Sequence, residues 1–211
     1  MVQVSTCWLP QFGLWICPVT FITLCIPATS IFLITELFRQ KKRPITNISY
    51  SIFGILYIIL PFALLNYIPL QADGEQRGSL LLIGFFASLW ANDTGAYLTG
   101  RAFGKRKLFE RISPKKTWEG FLGGLFFCVL AGYVFSMFDS YLTPEEWIGF
   151  SLIIGIFGTL GDLVESMIKR NYHVKDSGNI LPGHGGILDR FDGIFLACPM
   201  IIMYLEFVSC I

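Results

Sequence analysis

Residues 161–192 read GDLVESMIKRNYHVKDSGNILPGHGGILDRFD and form a polar stretch inside an otherwise apolar chain. Five acidic residues, four basic residues and both histidines of the protein fall within these 32 residues, and uncharged runs lie on either side. Ionisable groups beside a bilayer are costly, so they usually mark function. Acids that meet at a membrane surface indicate a metal site, and nearby lysines and arginines indicate a bound phosphate.

The composition of the whole chain is typical of a membrane protein. Of its 211 residues, 54% are hydrophobic and 15% are charged, which does not suit a soluble domain of this length. A helix needs about 20 apolar residues to cross the hydrocarbon core. The sequence therefore predicts an all-α, polytopic integral membrane protein that forms a single domain over residues 1–211. We expect about six transmembrane helices, at 12–35, 48–70, 79–100, 120–138, 147–161 (extendable to about 166) and 193–211.

The basic residues alternate between the loops that join these segments. Arg77 lies on one side of the predicted membrane, and the other 15 Lys and Arg residues lie in 39–43, 101–116 and 169–190. Positively charged short loops stay cytoplasmic. We therefore expect both termini outside and three loops in the cytosol, at 39–47, 101–117 and 167–190. The net charge of +1 does not indicate binding to nucleic acid, and we expect no nucleic-acid partner.

Two groups of carboxylates lie at the cytoplasmic ends of the last two predicted spans. Asp162 and Glu165 are three residues apart, and Lys169 follows four residues later, so they share one helix face. Asp189 and Asp192 are also three apart. The Gly- and Pro-rich loop between the groups can fold back and bring Asp162 near Asp189. Such ligands suit Mg²⁺, which binds one or two carboxylates together with water and phosphate. Interfacial salt bridges are the plainer alternative.

The segment PGHGG, residues 182–186, lies within this loop. Its glycines allow a ligand to approach the backbone closely, and their N–H groups can face phosphate oxygens. His184 can donate a hydrogen bond to the same phosphate. The alternative is a plain glycine turn with a solvent-facing histidine.

The segment SPKKTWEG, residues 113–120, is a second candidate for phosphate binding. We expect Ser113 to be a helix N-cap and Pro114 the first helical residue. Lys115 and Lys116 would then lie in the first turn, beside helix N–H groups that attract anions. Positive-inside charge is the alternative. Earlier in the chain, a lone acid toward the end of an apolar span, Asp93, needs a partner.

The residues from Ser166 to Asp192 resemble the signature of the phosphatidate cytidylyltransferase (CDP-diacylglycerol synthase) family. The shared positions are Ser166, Lys169–Arg170, Lys175–Asp176, His184–Gly185–Gly186 and Asp189–Arg190–Phe191–Asp192. NDTGAY (92–97) and SPKKTWEG are also similar to this family, and the resemblance covers roughly residues 45–211. Members usually have additional N-terminal helices, so we expect a short form, a fragment or a chain with a mis-assigned start.

The resemblance implies an enzyme, a nucleotidyltransferase of phospholipid biosynthesis. It would transfer CMP from CTP to phosphatidate and release CDP-diacylglycerol and pyrophosphate. It implies Mg²⁺, together with a monovalent cation such as K⁺, and a plausible homodimer. We expect a bacterial cytoplasmic membrane protein whose active site faces the cytosol.

The charge pattern and the resemblance together indicate which residues form the site. We expect catalytic roles for Asp162, Asp189, Lys175, His184 and Arg190. We expect substrate contacts from Lys115, Lys116, Asp93, Ser166, Lys169, Gly185 and Gly186. We expect metal contacts from Asp162, Asp189, Asp176 and Asp192.

Two other functions are compatible with parts of this pattern. A CTP-dependent polyprenol or phytol kinase would share the metal and nucleotide sites, but a hydroxyl group would attack the γ-phosphorus. A membrane transporter would use Asp93 and Asp162 as coupling-ion sites. The clustering of polar groups at one face, without a two-fold repeat, disfavours the transporter.

Overall fold

The computed structural model describes residues 18–39, 43–71, 75–174, 176–178, 186 and 188–209. The chain divides into two compact units, Met1–Ala63 and Leu64–Ile211. The single domain expected over 1–211 stays a prediction.

The first unit is a helical hairpin. Helix α1 (Pro18–Arg39) is followed by α2 (Pro44–Gly54), which runs through a π-helical segment (Ile55–Ile59) into α3 (Leu60–Leu65). Pro44 occupies the first turn of α2, where its missing N–H costs nothing. The buried Glu36 carboxylate accepts a hydrogen bond from Asn47 Nδ2 at 2.6 Å and pairs with Arg39 at 3.6 Å. The hydrogen bond from Asn47 joins α2 to α1, and the ion pair with Arg39 lies within α1.

The second unit contains four longer helices and a small hairpin. Its elements are α4 (Glu75–Phe103), β1 (Lys107–Phe109), β2 (Ser113–Thr117), α5 (Trp118–Ser136), α6 (Pro144–Asn171) and α7 (Ile194–Ser209), with short 3₁₀ turns at Ile68–Gln71 and Leu188–Arg190. Helix α4 packs along α5, α5 packs on α6, and α6 packs on α7. Their shared core contains Phe85, Trp147, Phe150, Ile154 and Ile201, all fully buried.

Small residues allow the helices of this unit to approach closely. A side chain added at Gly132 of α5 would come within 1.8 Å of the Ser151 hydroxyl oxygen on α6. At the start of α6, Thr143 and Glu146 form a capping box, in which each side chain bonds the other residue's backbone N–H. The cap at Thr143 therefore sets where α6 begins, and the missing side chain at Gly132 allows α5 to lie close to it.

The outward faces of these helices are apolar. Trp90, Leu122 and Phe126 are all more than 60% exposed, which suits a lipid surround better than water. Within the described residues, three helical segments are long and apolar enough to cross a membrane: Pro44–Leu65, Trp118–Ser136 and Pro144–Asn171. The prediction of an all-α, polytopic membrane protein is confirmed. All six predicted segments coincide with helical structure where it is described, while the count of six spans and their orientation stay predictions.

The β-hairpin corrects one prediction from the sequence. Ser113 is not a helix N-cap, and Lys115 and Lys116 do not lie in a helical turn, because Ser113–Thr117 pairs with Lys107–Phe109 as an antiparallel strand. Thr117 is the N-cap instead, and its hydroxyl accepts from the Gly120 N–H at 3.2 Å. Both Ser and Thr can cap a helix, and cross-strand pairing decides between them.

Candidate active site

A cavity of about 350 Å³ opens between α4, α5, α6 and the hairpin. Acidic groups on its wall come from α4 and α6, at Asp93 and Asp162. Basic groups come from the end of α4 and from β2, at Arg101, Lys115 and Lys116. A cavity that joins carboxylates to lysines and an arginine, in an apolar bundle, can take a phosphorylated ligand and a cation together.

The hairpin determines where the two lysines lie. Lys107 pairs with Thr117 and Phe109 pairs with Ser113, so β2 has two more residues than β1 between the same pairs. Such a bulge redirects side chains that strict alternation would point to opposite faces. The Glu119 carboxylate holds the hairpin to the start of α5, since it accepts from the backbone N–H groups of Lys105 and Arg106. Lys115 and Lys116 both line the cavity as a result.

Asp162 is the centre of the first charged network. Its Oδ2 pairs with Lys116 Nζ at 2.5 Å, and its Oδ1 accepts from the Ser166 hydroxyl at 3.2 Å. Asp93 lies within electrostatic reach of both Asp162 and Lys116. The structure therefore groups Asp93, Lys116 and Asp162 at the cavity wall, with Ser166 bonded to Asp162, and their predicted substrate and metal contacts stay predictions.

A buried amide forms part of the cavity wall beside these charges. Asn92 is 1% exposed, and its Nδ2 donates to Thr159 Oγ1 at 3.2 Å. The Thr159 hydroxyl donates in turn to the Gly155 carbonyl at 2.9 Å. Because that hydroxyl proton is already used, the amide nitrogen of Asn92 must face Thr159. These hydrogen bonds tie α4 to α6 directly behind Asp93 and Asp162.

Asp192 lies beside this network because α6 approaches the turn before α7 very closely. A side chain added at Gly161 would come within 2.6 Å of the Asp192 carbonyl oxygen. Partial burial, and then the neighbouring carboxylate of Asp162, raise the pKa of Asp192 to about 8. Glu165 and Asp93 act in the same direction. Carboxyl groups from α6 and from the turn before α7 therefore lie close together at this point.

The second charged network lies around Asp189. Its Oδ1 accepts from Lys169 Nζ at 2.7 Å, and its Oδ2 accepts from the Ser177 N–H, the Ser177 hydroxyl and the Gly186 N–H. Lys169 also pairs with the buried Glu165 at 3.5 Å. Burial by itself would raise the pKa of Asp189, but the hydrogen bonds from Lys169, Ser177 and Gly186 hold it well below its usual value.

The other residues predicted for the site are exposed or lie outside the described part of the chain. Asp176 and Arg190 are exposed on the segments that flank α6 and α7. Lys175, His184 and Gly185 lie outside the described residues. In the described part of the chain, Asp162 and Asp189 share no hydrogen bond or ion pair, and Asp192 lies within electrostatic reach of both Asp162 and Lys169. The roles proposed for all of these residues stay predictions.

The sequence did not single out several residues that the structure places at the site. These are Asn92, Tyr97, Arg101, Thr117 and Thr159 at the cavity, and Ser177 beside Asp189. Arg101 donates to the Tyr97 hydroxyl at 3.2 Å, one helical turn away. Arg101 and Asn92 were visible in the polar segments 92–97 and 101–117, but their charge and polarity are equally typical of a loop that only sets membrane orientation.

The acids of the first network fit a hard divalent cation. Their donors are carboxylate oxygens, and Asp93 and Asp192 both lie within electrostatic reach of Asp162. Among the described residues, no group of three or more His, Cys, Asp or Glu side chains is arranged to hold a metal ion. Mg²⁺ does not require such a group, because one or two carboxylates with water and phosphate complete its shell.

Comparisons with known proteins agree with this chemistry. A phosphatidate cytidylyltransferase of Bacillus subtilis is 48% identical over 136 residues, which cover 64% of this chain and 51% of that protein. The Staphylococcus aureus and Staphylococcus haemolyticus proteins of the same name are 37% and 38% identical over 196 residues, covering 92% of this chain and 72% of each relative. The chain thus spans about half the length of the first and most of the others. The sequence profile of the cytidylyltransferase family matches residues 1–208. The resemblance seen in the polar stretch is confirmed, and the chain belongs to the cytidylyltransferase family.

Proposed function

We propose that this protein transfers CMP from CTP to phosphatidate, releasing pyrophosphate and forming CDP-diacylglycerol. The observation that carries the proposal is the cavity in which Asp93 and Asp162 face Arg101, Lys115 and Lys116. It lies among apolar helices, where a lipid headgroup and a nucleotide from solution can meet. Family membership supports the same reaction.

The chemistry requires little from a general base. An oxygen of the phosphatidate phosphate is already anionic and attacks the α-phosphorus of CTP. The new P–O bond forms as the bond to the β-phosphate bridging oxygen breaks, and pyrophosphate leaves with the electron pair. No proton needs to be removed from the nucleophile. The protein must therefore offset negative charge and hold the two phosphates in line.

The basic residues of the cavity can offset the negative charge of the phosphates and hold them in place. Lys115 and Lys116 lie side by side on the bulged strand, and Arg101 lies at the end of α4. An arginine can bind phosphate with two parallel hydrogen bonds, whereas a lysine acts as a point charge. Arg101 is also oriented by the Tyr97 hydroxyl. We assign contacts with the triphosphate to Lys115, Lys116 and Arg101, in addition to the role expected for Arg190.

The acids of the same cavity favour Mg²⁺ as the cofactor. Asp162 is the principal ligand in this proposal, with Asp93 and Asp192 within electrostatic reach of it. When bound, the ion would stabilise the charge on the leaving pyrophosphate. Asp189 and Asp176 remain candidate ligands from the family resemblance, as does K⁺ as a second ion. The Ser166 hydroxyl donates to Asp162 from one turn further along α6, and the Asn92–Thr159 pair joins α4 to α6.

The location of the site follows the distribution of basic residues. The proposal places the cavity at the cytosolic face of a bacterial cytoplasmic membrane, because the hairpin carries most of the basic residues of loop 101–117. CTP would then enter from the cytosol, while phosphatidate stays in the bilayer. A homodimer is part of the proposal on family resemblance.

Purified protein in detergent tests the proposed reaction. With CTP, phosphatidate and Mg²⁺, we expect equal amounts of pyrophosphate and CDP-diacylglycerol, and we expect EDTA to stop the reaction. Release of CDP with a polyprenol or phytol would favour a lipid kinase. Failure to release pyrophosphate in detergent, with ion movement in sealed vesicles, would favour a transporter.

A matched pair of variants shows whether the cavity is responsible. Lys116→Ala removes a basic group from the cavity wall, while Lys107→Ala removes an exposed basic group from the neighbouring strand. We expect a loss of catalytic efficiency in the first variant and wild-type turnover in the second. Equal effects would remove the cavity from the proposal.

A further inference from the structure

We propose that Lys116 is an exchangeable counter-ion that competes with a divalent cation for Asp162. The inference rests on the proposed metal site at Asp162 and goes beyond it by assigning a switching role to a residue of the hairpin. Lys116 Nζ contacts Asp162 Oδ2 at 2.5 Å, so a cation on that oxygen must take the place of the ammonium group.

The surroundings of Lys116 make the exchange feasible. The side chains of Lys116 and Asp162 are 25% and 34% exposed, and both line the cavity. A partly exposed ion pair is weak because water solvates both partners. Lys116 is carried by a two-stranded hairpin and reaches across the cavity to α6. Its long, flexible side chain can leave Asp162 without any movement of a helix.

The other lysine–carboxylate pair of the site lacks these properties. The side chains of Lys169 and Asp189 are 16% and 11% exposed, and Lys169 also contacts Glu165. Asp189 has further donors in Ser177 and Gly186. Releasing Lys169 would leave two carboxylates of low exposure without their shared cation, which is costly. Exchange is therefore expected at Lys116 and not at Lys169.

The exchange links metal binding to substrate binding. Once a cation occupies Asp162, the ammonium group of Lys116 is repelled by the ion and is free to contact a phosphate oxygen in the same cavity. Metal and phosphate then each increase the affinity of the site for the other. The metal ion on Asp162 releases Lys116 for the phosphate, and a phosphate on Lys116 leaves Asp162 open to the metal ion. By linkage, the coupling is the same in both directions.

Binding of Mn²⁺ alone tests this inference without any turnover. Free Mn²⁺ gives an electron paramagnetic resonance signal that disappears on binding, so titration of the detergent-solubilised protein measures its affinity. Lys116→Met keeps the length and apolar stem of the side chain but removes the competing charge. We expect it to tighten Mn²⁺ binding about fivefold, the upper range for a partly exposed pair.

Two control variants separate competition from a general change in charge. Lys115→Met removes the same charge from the adjacent cavity residue, which forms no ion pair with Asp162 in the described part of the chain. We expect its Mn²⁺ affinity to change less than about twofold, because solvent screens the interaction. In an Asp162→Asn background, Lys116→Met should no longer tighten binding. Equal tightening by the two lysine variants, or none by Lys116→Met, would overturn the proposal.

The result is distinguishable from failure of the proposed reaction. A wild-type protein that forms CDP-diacylglycerol, combined with an unchanged Mn²⁺ affinity in Lys116→Met, would reject the exchange and leave the reaction standing. Tighter Mn²⁺ binding in Lys116→Met, combined with a wild-type protein that shows no nucleotidyl transfer, would support the exchange and reject the reaction.

Discussion

Two lysine–carboxylate pairs lie along the C-terminal half of α6, and their surroundings differ. Lys116 and Asp162 face an open cavity and are 25% and 34% exposed, whereas Lys169 and Asp189 are 16% and 11% exposed and share further partners. The residue types are the same in both pairs. Side-chain exposure and the number of donors to the carboxylate therefore decide whether an ion pair can exchange a partner for a ligand or instead holds the chain together.

The largest effect is expected from Asp162→Asn. The substitution keeps the side-chain shape but removes the charge that a divalent cation requires. We expect the rate of pyrophosphate release to fall about 100- to 1000-fold, the range for loss of one preorganised electrostatic group. Thermal unfolding in detergent should stay close to wild type, because the pair with Lys116 is partly exposed. Near-normal turnover would remove Asp162 from the metal site.

Asp189→Asn should show the opposite pattern. It removes the charged partner of Lys169 at a poorly exposed position, and breaking a buried ion pair costs about 3 kcal/mol. We expect this loss in the free energy of unfolding, measured by chemical denaturation in detergent. An unchanged stability with abolished turnover would instead make Asp189 the metal ligand that its motif predicts, and the contrast between the two pairs would disappear.

Lys116→Ala should have a smaller effect, confined to substrate binding. If the lysine contacts phosphate equally in the ground state and the transition state, KM rises and kcat stays nearly constant. We expect about a tenfold increase in KM for CTP, which corresponds to about 1.4 kcal/mol. Steady-state kinetics measure this increase in KM, with Lys107→Ala as the control. A fall in kcat at constant KM would place Lys116 in the transition state alone.

Thr143→Ala should have the smallest effect and no influence on either pair. Thr143 caps the far end of α6, where its hydroxyl accepts from the Glu146 N–H. Loss of an N-cap costs about 1 kcal/mol of stability. We expect that change in denaturation experiments, with turnover per folded molecule unaltered. A loss of turnover would mean that α6 transmits changes at its start to the charged residues.

The sequence was sufficient for the class of fold and for much of the site. Long uncharged runs predicted the helices, since an apolar segment of this length is stable only in lipid or in a core. Asp162, Glu165 and Lys169 were expected on one helix face from their spacing, and in the structure Lys169 pairs with Glu165 one helical turn away. Local periodicity carries such information because it needs no knowledge of distant partners.

The error at Ser113 shows where local signals fail. Ser113–Pro114 and Thr117 are both compatible with a helix start, and nothing nearby in the sequence decides between them. The pairing of Lys107 with Thr117 and of Phe109 with Ser113 excludes the first. A hairpin depends on hydrogen bonds between strands, so its bulge and the placement of Lys115 and Lys116 could not be predicted from a helical pattern.

The sequence by itself determined that this is a helical membrane protein with acids and bases concentrated at a few loops, because hydropathy and charge act locally along the chain. Only the tertiary structure decided which acid pairs with which lysine. Asp162 meets Lys116 from 46 positions away, and Asp189 meets Lys169 from 20. These choices depend on close approaches at small residues such as Gly161, and packing between helices has no signature in the order of residues along one of them.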